Sequence, residues 1–208
     1  MPHCIEEASS GRSRCRGCGG KIAKGAQRFG ERVDNPFGDG EATYWFHLTC
    51  AALMRPEPML STLEGVEGCV PSSDALLALA TAGIEYRRLP RLMRVERASS
   101  GRARCRSCRE LIEKETWRFA VAMFEDGRMN PIGFLHVGCS QNYFDTADVL
   151  PRVDLLQPDL SGAERAEVAT ALATQAPPQA VHAPDAAGPS VAKAVEAPAS
   201  PAKKRSKA

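Results

Sequence analysis

Residues 8–18 read ASSGRSRCRGC, and residues 98–108 read ASSGRARCRSC. The two stretches differ only where Ser13 faces Ala103 and Gly17 faces Ser107. Each carries a Cys-x2-Cys, and each is followed by a His-x2-Cys. Cys15, Cys18, His47 and Cys50 in the first copy correspond to Cys105, Cys108, His136 and Cys139 in the second, at offsets of 90 and 89 residues. A gap of 28 residues separates the Cys pair from the His in the first copy, and 27 in the second. Three thiolates and one imidazole make a closed tetrahedral Zn²⁺ set, with no position left for water or substrate. Disulfides, or reduced core thiols beside satisfied histidines, compete with that reading for a lone Cys-x2-Cys. Two quartets in the same order favour metal, so two structural zinc ions are expected. Cys4 and Cys69 have no counterpart in the repeat and read as small buried or half-exposed thiols.

Working outward, the repeat sets the organisation. The first unit is expected over 1–92, with its core at 5–55, and the second over 93–174, with its core at 93–145. The chain has 208 residues and is only 6% aromatic, so each unit is small with a thin core. Units of that size often need a metal to stay folded. The expected class is α+β: small zinc-stabilised units in tandem, each a β-hairpin plus short helices.

The hairpins follow the Cys pairs. AQRFGERV (26–33) alternates as a half-buried strand, DNPFGDG (34–40) is turn chemistry, and ATYWFH (42–47) returns as an aromatic strand. The second copy reads TWRFAVA (116–122), then a turn in FEDGRMNP (124–131), then IGFLH (132–136). The His-x2-Cys then opens a short helical turn in HLTCAALM and HVGCSQNYF. A helix closes each unit. In the first, Ser73 caps DALLALATA (74–82) and Gly83 stops it; in the second, Ser161 caps GAERAEVATALA (162–173), with Glu164 completing a capping box. Residues 175–208 are Ala, Pro and Val with scattered lysines, ending in KKRSKA. Such a segment buries too little apolar surface to offset its ordering entropy and is expected to be disordered. Lys203, Lys204 and Arg205 are suited to phosphate contact or nuclear targeting, or form a merely solvated end.

The first ten residues, MPHCIEEASS, hold neither a basic n-region nor an apolar h-region, and no apolar run approaches the ~20 residues of a membrane span. An intracellular protein without a membrane partner is expected, located with DNA in nucleoid, cytoplasm or nucleus. The net charge of +2 is uninformative, but its distribution is not. From Arg87 to Arg109 there are nine arginines and one acid, Glu96. From Ser140 to Gln175 six acids face only Arg152 and Arg165. An acidic partner would dock near the Cys-x2-Cys motifs.

RLMRVERASSGRARCRSC (91–108), the long gap and the closing His-x2-Cys resemble the zinc fingers of poly(ADP-ribose) polymerase, a finger type shared with a nick-sensing DNA ligase. The resemblance covers both units and not the 175–208 segment. It implies recognition of DNA ends, nicks and gaps by shape rather than sequence. Carried over, it assigns backbone-phosphate contacts to Arg12 and Arg102, and further contacts to Arg28 and Arg118, which open the first hairpin strands. It assigns stacking on the base pair exposed at a break to the apolar tip residues, Phe37 and Phe124. The tryptophan two before the zinc-binding His is kept as Trp45, but Phe134 stands there in the second unit. The tip loops also differ in length between the units.

Elementary physics runs the same way. Guanidinium groups grip phosphate bidentately, and a ring stacks on any base at roughly 1–3 kcal/mol, but only where a break exposes the base face. The plainer alternatives are a solvated face for Arg12, Arg14 and Arg16, ion pairs of Arg28 and Arg118 with Glu31 and Glu115, and Phe37 and Phe124 packed over their own hairpins. For function, a non-enzymatic DNA-break binder leads. A zinc-stapled interaction or scaffold module is the alternative, with the last segment available to a protein partner. No carboxylate pair, nucleophile constellation, phosphate loop or open metal site supports an enzyme.

Overall fold

Alternation in QRFGERVD and in WRFAVAMFE resolves into two antiparallel sheets of the same design. The structure is a computed structural model that describes residues 3–35, 38–65 and 70–174. Phe37, Cys69 and the 175–208 segment lie outside these residues. The first sheet holds β1 (Cys4–Glu7), β2 (Gln27–Asp34) and β3 (Glu41–His47), in the order β1-β2-β3. The second holds β4 (Leu92–Arg97), β5 (Trp117–Glu125) and β6 (Arg128–His136), in the order β4-β5-β6. Each sheet therefore has a strand before its Cys-x2-Cys that pairs with the first hairpin strand. Side-chain alternation across the register puts Phe29 opposite Phe46, and Phe119 between Val95 and Leu135; all five are fully buried or nearly so.

The second hairpin differs from its expected form. Phe124–Pro131 is not a long turn: β5 runs to Glu125, β6 begins at Arg128, and only Asp126 and Gly127 lie between. Both have positive φ, 50° and 76°, the geometry of a two-residue primed turn, and Asp-Gly is among the dipeptides that favour it. Pro131 is tolerated because β6 is an edge strand and owes no N–H outward. The register slips between Val121 and Ala122, so the hairpin carries a bulge midway to its tip.

The helices are α1 (Leu48–Met54), α2 (Pro56–Gly65) and α3 (Ser73–Glu85) after the first sheet, then α4 (Ser140–Phe144), α5 (Leu150–Leu156) and α6 (Gly162–Ala173) after the second. A 3₁₀ turn, Val137–Cys139, precedes α4. The capping box expected at α6 is present: Ser161 Oγ accepts from the Glu164 N–H at 3.3 Å, and the Ser161 N–H donates to Glu164 Oε2 at 3.0 Å. The expectation for α3 fails at both ends. Ser73 is already helical, Ser72 precedes it with a left-handed backbone and no side-chain cap, and the helix runs past Gly83 to Glu85. Gly83 serves as a close-packing site, because a Cβ there would stand 3.0 Å from Pro56.

The units do not stand apart. Phe124, near the tip of the second hairpin, packs on the first unit, its ring centroid 5.5 Å from Phe46 and 6.2 Å from Tyr44. Ala82, Tyr86 and Leu89, from the end of the first unit, join the second core. Arg152 on α5 is 4% exposed and donates to the carbonyls of Pro90 and Leu92, at 3.1 and 3.4 Å. Burial draws its pKa down to about 9, so it stays charged at neutral pH while pinning α5 to the start of β4. No helix among the described residues is long and apolar enough to cross a membrane.

One repeat position predicts a stabilising change. Gly19 closes the first Cys-x2-Cys turn at φ +73°, and its counterpart Arg109 is held at φ +68°. A left-handed conformation is unfavourable by roughly 1 kcal/mol for a residue with a Cβ. Arg109→Gly is expected to raise the melting temperature by a few degrees, read by scanning calorimetry; an unchanged or lower value would show that Arg109 is unstrained.

Candidate functional site

Each Cys-x2-Cys folds as a tight turn. The Gly19 N–H donates to the Cys15 carbonyl and the Cys15 N–H to the Gly20 carbonyl, both at 2.8 Å; the Arg109–Cys105 and Cys105–Glu110 bonds repeat this at 2.9 and 2.8 Å. The hairpin then carries the chain out and back, and the start of the following helical turn supplies the His and the last Cys. In each unit the four candidate ligand atoms lie within 4.8 Å of one another. Cys18 Sγ is 3.4 Å from His47 Nδ1 and Cys50 Sγ 3.8 Å; in the second unit the separations are 3.3 Å for Cys108 and 3.9 Å for Cys139. Those are the edge lengths of a tetrahedron whose centre is ~2.0–2.3 Å from N and S.

The surroundings fit a cation. His47 Nε2 lies 3.2 Å from the Lys21 carbonyl and His136 Nε2 3.1 Å from the Leu111 carbonyl. A carbonyl only accepts, so Nε2 carries the proton and Nδ1 turns its lone pair to the sulfurs, the outer-shell arrangement usual for a ligating histidine. Backbone N–H groups of His47 and His136 donate to Cys15 and Cys105 Sγ, each at 3.4 Å. The thiols titrate as crowded groups. A hydrogen bond from Cys50 holds Cys15 down to about 5, and the same bond together with burial pushes Cys50 well up. Cys105 is held down to about 4 by Cys139, which is pushed up in turn. Shared hydrogen bonds and burial thus favour one thiolate in each cluster and oppose ionisation of the other thiols. A divalent cation would let all three sulfurs ionise, so each quartet is suited to hold zinc as a closed structural site.

The arginines divide into two groups. Arg28 and Arg118 are 7% and 6% exposed. Arg28 donates from Nε and Nη2 to Glu6 Oε1 at 3.2 and 2.6 Å and from Nη1 to Ser13 Oγ at 2.6 Å, and it lies 3.6 Å over the Trp45 ring. Arg118 donates to Glu96 Oε1 at 3.0 and 2.6 Å and lies 3.6 Å over Phe134. The carboxylate partners are thus on β1 and β4, not Glu31 or Glu115. Glu31 is itself buried and bound by Arg55. Trp45 and Phe134, unlike in size, do the same job: each is the aromatic floor beneath a strand arginine.

Arg12, Arg14, Arg102 and Arg104 are exposed around the Cys turns. Arg14 Nη1 donates to the Gly19 carbonyl at 3.1 Å, and Arg104 Nη1 to the Arg109 carbonyl at 3.2 Å, which orients both along the turn. Phe124 is half-buried against the first unit, with the Arg55 guanidinium 4.8 Å over its ring. Arg128, which no motif marks, sits beside Arg12, Arg14 and Arg16. The signal for it was the Asp-Gly turn: a two-residue turn makes Arg128 the first residue of the return strand.

A Cys-x2-Cys turn, a long hairpin and a His-x2-Cys closing one tetrahedral site, built twice in tandem, define a zinc-finger protein of the Cys3His class. Residues 6–69 match the poly(ADP-ribose) polymerase and DNA-ligase zinc-finger region. The chain is similar to a poly(ADP-ribose) polymerase of Sarcophaga peregrina, 26% identical over 199 residues that cover 83% of this chain. It is likewise similar to that of Drosophila melanogaster, 27% identical over 150 residues covering 60% of the chain. Poly(ADP-ribose) polymerase 1 of Gallus gallus is 26% identical over 136 residues, covering 59% of the chain. The matches span only 20%, 14% and 14% of those three relatives' lengths.

Proposed function

We propose that this chain is a zinc-dependent, non-enzymatic DNA-binding protein. In this reading it recognises nicks, gaps or ends by shape, in DNA damage response or repair. The observation that carries the reading is the duplicated Cys turn, which presents Arg12 and Arg14, and again Arg102 and Arg104, to solvent on a metal-fixed frame. Guanidinium groups held this way grip phosphate oxygens bidentately and position a protein on DNA without reading sequence. Arg28 and Arg118 support that frame: their donors bind Glu6, Ser13 and Glu96, so they hold the first hairpin strand to its neighbour. Phe37, in the first tip, is left as the ring that stacks on an exposed base pair, since Phe124 is engaged by Tyr44 and Phe46. The relatives' name associates such fingers with poly(ADP-ribose) polymerases, and a place with cellular DNA follows from the same reading.

The test is a salt series on a nicked duplex. Arg12→Ala and Arg102→Ala should each weaken binding several-fold and lower the slope of log K against log salt by about 1, one phosphate contact per arginine. Unchanged slopes in both variants would contradict phosphate contact at the Cys turns.

A further inference from the structure

The tip of the second hairpin does not project into solvent. It is seated on the first unit, and its seat determines what stands beside it. Gly127, at φ +76°, presses so close to Tyr44 that a Cβ would lie 2.5 Å from Cζ of that ring. Only glycine fits both the turn and the approach. Phe124, two residues before the turn, fills the space over Tyr44 and Phe46. The guanidinium of Arg16 lies 5.1 Å from the centre of the Tyr44 ring. Gly127 and Arg16 thus meet on one ring, and the next residue, Arg128, is carried to the Cys turn of the other unit.

The result is a cleft of about 570 Å³ lined by Arg12, Arg14, Arg16 and Arg128, with Trp45 in its wall. All four arginines are exposed, and no acidic residue is among the lining groups. Arg12 and Arg128 make no ion pair among the described residues. Glu125 stands opposite Arg128 in the hairpin register, but it and Asp126 lie outside the cleft lining, and Glu125 Oε2 accepts from Asn130 Nδ2 at 3.5 Å. Four like charges converging without a carboxylate repel one another and raise the local concentration of anions. Their forked donors suit the paired oxygens of a phosphodiester.

We infer that Arg128, supplied by the second unit, completes with Arg12, Arg14 and Arg16 a cradle for a backbone phosphate of DNA bound at the first unit. This rests on the DNA reading above. It adds that the second hairpin tip acts as a strut delivering a cation to its neighbour rather than as a wedge at a break. The two units then hold one stretch of DNA as a single surface.

The experiment measures binding of the full chain to a fluorescent nicked duplex across a salt series. It compares wild type with Arg128→Ala, Arg12→Ala, Phe124→Ala and Arg87→Ala. Arg87 is an exposed arginine outside the cleft and controls for loss of one charge. Two zinc ions per chain verify folding in every variant. Arg128→Ala should lose about five- to tenfold in affinity and about 1 in slope, while Arg87→Ala keeps the wild-type slope. Phe124→Ala, which frees the tip, should match Arg128→Ala, and the double variant should lose no more than either. A wild-type slope for Arg128→Ala beside a reduced slope for Arg12→Ala overturns the cradle and leaves the DNA reading intact. Absence of duplex binding by the wild-type chain overturns both.

Discussion

Replacing Cys50 by Ser is expected to strip the first unit of its zinc ion and, with it, of its fold. A structural Zn²⁺ contributes about 10–16 kcal/mol of apparent folding free energy in small metal-stapled units, more than a thin core can replace. Cys15 and Cys18 lie on one turn and His47 and Cys50 on another far along the chain, so without the ion only a few hydrogen bonds and the neighbouring sheet tie the two turns together. Metal analysis should give two zinc ions per wild-type chain and one for Cys50→Ser, with Cys4→Ser, outside either quartet, keeping both. Chelation should melt both sheets, seen by circular dichroism. Acid acts in the same sense. Cys18 and Cys50 are pushed up, the first chiefly by burial and the second by Cys15, so zinc must displace their protons, and affinity falls as pH falls, about tenfold per proton and pH unit. A metal-free chain that stays folded would end the zinc account.

The second large effect is expected at Arg55. Glu31 is 2% exposed, and its carboxylate accepts from Arg55 Nε at 3.0 and 2.9 Å and from Nη2 at 2.5 Å. The outer face of that guanidinium covers Phe124, so one side chain neutralises a buried acid in the first unit and caps the ring that the second unit inserts. Arg55→Ala leaves Glu31 buried and bare. Removing one partner of a buried pair is destabilising by about 3–5 kcal/mol, and the partial exposure of Arg55 places the expectation near about 3 kcal/mol. Adding Glu31→Gln should recover a large part of that loss in urea unfolding, because the bare charge is then gone. If the double variant is no more stable than Arg55→Ala, the cost comes from lost packing on Phe124 instead.

What could be read from the chain is uneven for physical reasons. The metal quartets, α6 with its capping box and the hairpin strands are local signals: fixed Cys and His spacing, a Ser-x-x-Glu, period-two alternation. The strand before each Cys turn was hidden because it is short, four residues in β1 and six in β4, and its hairpin partner is about twenty residues or more away. The partners of Arg28 and Arg118 were missed for that same reason, since Glu6 and Glu96 sit on those strands. Helices α2 and α5 were not anticipated; Pro56 and Pro151 stand in their first turns, where a missing N–H is harmless. Gly83 was read as a stop because a glycine late in a helix usually is one; here Pro56 needs its room. The seating of Phe124 on Tyr44 and Phe46, and with it the place of Arg128, depends on how the two units dock, which no local pattern encodes.

On the proposed reading, the metal-fixed frame grips phosphates through its arginines and distinguishes interrupted from continuous duplex through a stacking ring. The most direct measurement is a titration of zinc-loaded chain against one sequence in two forms, nicked and covalently closed, at fixed salt. Binding to the nicked form should be about 5- to 150-fold tighter, with the difference lost on chelation, since one stacked base is worth roughly 1–3 kcal/mol. Equal affinity for the two forms, or a preference that survives removal of zinc, would contradict it.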